Sequence, residues 1–75
     1  MNVLNLKVGQ TGIISHVEGN DKLTKRLLVL GCTNGTSIKL KRKAPLGDPI
    51  ILNIRGFDIA IRKNDAKSIY LKEII

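Results

Sequence analysis

The chain has 75 residues, of which 43% are hydrophobic, but it holds one Phe, one Tyr and no Trp, and its formal net charge is +7. That length leaves room for one core, so a single domain over residues 1–75 is expected, built from Ile, Leu and Val rather than aromatics. One cysteine, Cys32, excludes an internal disulfide and a zinc centre made of cysteines alone, and a reducing cytoplasm is its simplest setting. No apolar run exceeds the four residues Leu27 to Leu30, far short of the ~20 needed to span a bilayer. Met1 to Val8 lacks the basic and apolar regions of a signal peptide, so a soluble cytoplasmic protein is expected.

In chain order, Thr11 to Val17 reads as a first strand, with Ile13, Ser15 and Val17 on one face and Ile14 and His16 on the other. Glu18 to Asp21 is a loop, and Asn20 or Asp21 is placed to cap a helix over Lys22 to Leu30. Leu23, Leu27 and Leu30 form the apolar stripe of that helix, and Gly31 is placed to stop it in the left-handed conformation. Asn34-Gly35 turns the chain into the clearest alternating segment, Thr36 to Lys43. There Ile38 and Leu40 point inward and Lys39, Lys41 and Lys43 outward, while Arg42 has inward parity, so that either the strand has ended there or a bulge re-aims it. Ala44 to Pro49, with two prolines and a glycine, is a rigid connector. Ile50 to Arg55 and Phe57 to Arg62 form a hairpin about Arg55-Gly56, with Phe57, Ile59 and Ile61 sharing the inward face. A helical turn capped by Asn64 and a last strand, Ser68 to Lys72, complete the chain. The expected fold is therefore mainly β, about five short strands with one inserted helix. Closure into a small barrel would remove exposed sheet edges.

The order of these features resembles the FeoA family. The matching residues are Arg26-Leu27, Leu30-Gly31, Gly35, Ala44-Pro-Leu-Gly-Asp-Pro49, Arg55-Gly56, Ile59-Ala-Ile-Arg62, Ala66 and Ile69. The resemblance runs from about Leu6 to Leu71. It implies an SH3-like barrel related to the C-terminal domain of DtxR-type metal-dependent repressors, without the helix-turn-helix that precedes it there. It also implies a non-enzymatic accessory role in bacterial Fe(II) uptake, beside the cytosolic region of the FeoB membrane GTPase and transporter. On that footing the protein would sit in the cytoplasm, peripheral to the inner face of the membrane.

The chemistry on offer is narrow. Nucleophilic catalysis needs a nucleophile, a base and an orienting group in contact. With one His and no phosphate loop or metalloprotease spacing, no enzyme is expected. The Lys39, Lys41, Lys43 row is the strongest charge feature. Its functional reading is a docking strip for an acidic surface on FeoB or for anionic lipid headgroups, with Leu46 at the tip of the connector as an added apolar contact. The competing reading is a solvated strand face. The runner-up function is binding or sensing of a divalent transition metal, weakly held, with His16 and Glu18 as the candidate ligands. Such a site needs three or four converging donors, which favours an ordinary strand histidine and a Cys32 packed behind the helix. A third reading, a nucleic-acid-binding barrel, is disfavoured by the lack of aromatics for stacking bases.

Overall fold

The computed structural model describes residues 1–19 and 21–75. Asn20, one of the two expected helix caps, lies outside the described residues. Five antiparallel strands are present: β1 (Thr11–Val17), β2 (Ser37–Lys43), β3 (Ile50–Ile54), β4 (Phe57–Ile61) and β5 (Ile69–Ile74). Helix α1 (Asp21–Val29) follows β1, and a short helix α2 (Lys63–Ala66) precedes β5. The sheet order is β4-β3-β2-β1-β5. Local hairpins therefore build one side, and strands from opposite ends of the chain meet on the other. Inward side chains of all five strands join one core cluster with Val3, Leu6, Leu27, Cys32 and Ala66. The expected mainly β architecture with an inserted helix is what the chain forms. Among the described residues no helix is long and apolar enough to cross a membrane.

Helix α1 ends as its sequence suggests. Gly31 has φ +104°, a conformation that only glycine adopts cheaply. The Gly31 N–H donates to the Leu28 carbonyl at 3.0 Å and the Cys32 N–H to the Leu27 carbonyl at 3.0 Å. This paired pattern is the Schellman motif, and its usual apolar contact is supplied by Leu27 and Cys32, both buried. Asp21 lies inside the first helical turn, where its charge complements the helix dipole. The predicted stripe is only partly realised. Leu27 is buried and Leu23 packs against the core, but Leu30 is exposed because the helix stops at Val29.

Two expectations about facing are corrected by bulges. The β1–β5 register shifts between Ile13 and Ile14 and again between Ile14 and His16. Ile14 consequently points into the core while His16, of the same parity, is exposed opposite Tyr70. In β2 the register shifts between Leu40 and Arg42. Arg42 then pairs with Ile51 and lies outside, and Lys43 pairs with the buried Ile50. One extra residue thus reverses the side of everything after it.

The β3–β4 hairpin turns through Arg55 and Gly56, at φ 53° and 86°. Both central residues are left-handed, which matches a type I′ turn. Phe57 has the inward parity expected of it, opposite Ile54. It is nevertheless 74% exposed, because β4 is an edge strand and the core covers its neighbour Ile54 but not Phe57. The expected Asn64 cap of α2 is also corrected: Asn64 lies within the helix, and Asp48 Oδ1 accepts the Lys63 N–H at 3.0 Å from the connector. At the N-terminus, Val3–Asn5 forms a 3₁₀ turn closed by an Asn2–Asn5 capping box. It carries Val3 into the core and sets Asn2 against Tyr70 of β5.

Candidate functional site

Strand β2 brings the cations forward. Lys39, Lys41, Arg42 and Lys43 are all exposed, but they do not form the single row that alternation predicts. Lys39 and Arg42 share the outer face with Asn53 and Ile51. Lys41 reaches across that face and donates to Asp58 Oδ2 at 2.9 Å, while Asn53 Nδ2 donates to Asp58 Oδ1 at 2.7 Å. These hydrogen bonds, Asn53 first and Lys41 second, hold the Asp58 carboxyl below its ordinary value. Asp58 therefore pairs with Lys41 and also feels the charge of Arg42, which leaves Lys39 as the cation of the face that no carboxylate engages among the described residues. The bulge turns Lys43 to the other side, where it borders a small cleft with Leu4 and Lys63. Arg42 and Lys43 are the members of this patch whose sides parity alone reverses.

Leu46 stands at the tip of the β2–β3 connector, 96% exposed. The connector is tied at its base by the Ala44 N–H to the Pro49 carbonyl and within by the Gly47 N–H to the Ala44 carbonyl. Its rigidity lowers the entropic cost of presenting an apolar side chain.

The two candidate metal ligands do meet. His16 Nε2 lies 3.1 Å from Glu18 Oε1, and His16 Nδ1 lies 2.8 Å from Ser15 Oγ. The imidazole stacks on Tyr70 with centroids 4.9 Å apart and planes within 3°. Cys32 does not join them. It is fully buried, and burial pushes its thiol up to about 11, which keeps it neutral. Among the described residues no three His, Cys, Asp or Glu side chains are grouped to hold a metal ion. The donors present thus fit at most a two-donor surface site, not a three- or four-ligand centre within one chain.

A feature that parity arguments missed lies between the C-terminal end of α1 and the β3–β4 hairpin. Val29, Leu30, Ile54, Arg55, Phe57 and Ile59 line an open groove of about 320 Å³. The four-residue apolar run at Leu27 to Leu30, longer than one helix face can bury, was its trace in the sequence.

The FeoA domain family's profile matches residues 1–73. The chain belongs to the FeoA domain family. A curated relative, the Fe(2+) transport protein A/Fe(2+) transporter FeoB fusion protein of Porphyromonas gingivalis, is 32% identical over 74 residues. That match covers 99% of this chain and 9% of the fusion protein. Among solved structures, the FeoA protein of Chlorobium tepidum is 35% identical with a TM-score of 0.88, covering 95% of this chain and 68% of its own. The zinc complex of Stenotrophomonas maltophilia FeoA, described as a procaryotic SH3 domain protein, has a TM-score of 0.86 over 96% of this chain and 89% of its own. At 24% identity the second likeness is one of fold, and it makes the FeoA sheet described above SH3-like. Family membership links the chain to ferrous iron transport.

Proposed function

We propose that this FeoA domain is a non-enzymatic accessory module that docks on the cytosolic region of a FeoB-type ferrous-iron transporter and supports its assembly or regulation. The observation that carries the reading is the P. gingivalis relative, in which a similar domain and FeoB share one polypeptide. A fusion holds its two parts at high effective concentration, an arrangement suited to domains that touch. The charge of +7 supports an acidic docking surface. Lys39, Lys41, Lys43 and Leu46 are the proposed contacts, with Lys39 the most informative because no carboxylate engages it among the described residues. The module works by binding one conformational state of the transporter more tightly than another, since equal affinity for both would shift nothing. The site of action would be the cytoplasmic face of the membrane.

The test is a titration of the purified chain against the isolated cytosolic region of a FeoB-type transporter, with and without GTP and Fe²⁺. Saturable binding that weakens with salt and with Lys39→Glu is expected. No binding in any nucleotide or metal state overturns the proposal. A second reading, metal carriage at His16 and Glu18, draws on the zinc complex of the S. maltophilia protein. It predicts zinc binding that His16→Ala abolishes and Lys39→Glu leaves intact.

A further inference from the structure

We propose that the groove between α1 and the β3–β4 hairpin seats a bulky apolar side chain of the partner protein that is flanked by a carboxylate. The inference rests on the docking reading above and names a second contact surface, away from the cationic strand. Val8 and Leu46, exposed elsewhere on the chain, do not line this groove. Here three of them converge: Val29 is 86% exposed, Phe57 74% and Leu30 37%. Ile54 and Ile59 form the floor. An aromatic anchor beside a concave apolar seat is the anatomy of a binding hot spot.

Both walls are fixed before any partner arrives. The Schellman end of α1 sets Val29 and Leu30, and the left-handed Arg55-Gly56 turn sets Phe57. Little ordering is left to oppose association. The carboxylate follows from Arg55. Its side chain lies over the end of α1, with Cδ and Nε 3.5 Å from the position a Cβ on Gly31 would occupy. No acidic residue lines the groove, and among the described residues no carboxylate pairs with Arg55. A guanidinium beside apolar surface, with no anion of its own chain, fits an acidic group next to an apolar one. The same cation and the net charge of +7 disfavour a second copy of this chain as the occupant.

The experiment is calorimetric titration of the full chain and its variants into the isolated cytosolic region of a FeoB-type transporter, with sedimentation of each chain alone. Phe57→Thr keeps a strand-forming residue, and Val29→Ser and Arg55→Asn change exposed positions, so all three should fold. Phe57→Thr should weaken binding about 30-fold, the loss expected of a hot-spot aromatic. Val29→Ser should weaken it in the same direction, and Arg55→Asn should weaken it while flattening its salt dependence. If the wild type binds and Phe57→Thr binds equally, the groove is not the contact, and the docking reading survives without it. If the wild type does not bind, both fall together. A wild-type dimer that Phe57→Thr dissolves would assign the groove to a second copy and overturn the proposal.

Discussion

Leu27 is the only buried residue of α1 and is 1% exposed. The helix has nine residues, below the ~12–15 at which an isolated helix is even marginal in water. It must therefore be held by tertiary packing, and most of that packing passes through one side chain. Leu27→Ala removes three buried carbons and leaves a cavity among core neighbours, which costs about 3–5 kcal/mol where the site cannot collapse. At ~0.05–0.15 kcal/mol per residue, 75 residues correspond to a total stability of about 4–11 kcal/mol. The variant should therefore sit close to its unfolding threshold. Urea unfolding followed by far-UV circular dichroism measures the loss, and an unchanged denaturant slope would assign it to the native state. Val29→Ala, two positions on and 86% exposed, should stay within about 0.5 kcal/mol of wild type. A Leu27→Ala cost below about 1 kcal/mol, or an equal cost at Val29, would refute the claim that Leu27 anchors the helix.

Two further outcomes follow from local geometry. The Cys32 thiol, pushed by burial from 9.0 up to about 11, favours the folded state fully below pH 9. Its contribution is lost as pH rises towards about 11, because the unfolded thiol ionises first. Wild type should lose more stability across that window than Cys32→Ala, and parallel pH profiles would contradict the assignment. Asp48 caps α2 from the connector by accepting the Lys63 N–H. Asp48→Ala should cost about 1 kcal/mol and Asp48→Asn much less, read from thermal melts; equal melts for the two variants would show that the acceptor is unimportant.

Strand positions were legible because alternation and turn chemistry agree. Ile50, Leu52 and Ile54 are buried as their period demands, and the Asn34-Gly35 and Arg55-Gly56 turns fall where glycine signals them. What alternation cannot carry is an inserted residue. The β2 bulge exchanged the sides of Arg42 and Lys43, and the β1 bulges freed His16 from the face of Ile14. Nor does parity say which strand lies at the edge of the sheet, where Phe57 stays exposed beside the buried Ile54. The Asp48 cap was invisible because its partner, the Lys63 N–H, lies 15 residues away. The candidate cations and the His16–Glu18 pair were readable as residue types, but the groove needed the helix and hairpin brought side by side.

The scarcity of aromatic residues has a practical side. The single Phe stands at the α1–hairpin groove, and the single Tyr is stacked on His16. With no Trp in the chain, intrinsic fluorescence comes from Tyr70 alone and reports on the imidazole and whatever it binds. The ring resonances of Phe57 report on the groove without overlap from any other phenylalanine. The groove and the His16–Glu18 pair thus each carry a native spectroscopic label, so occupancy of one can be followed while the other is left undisturbed.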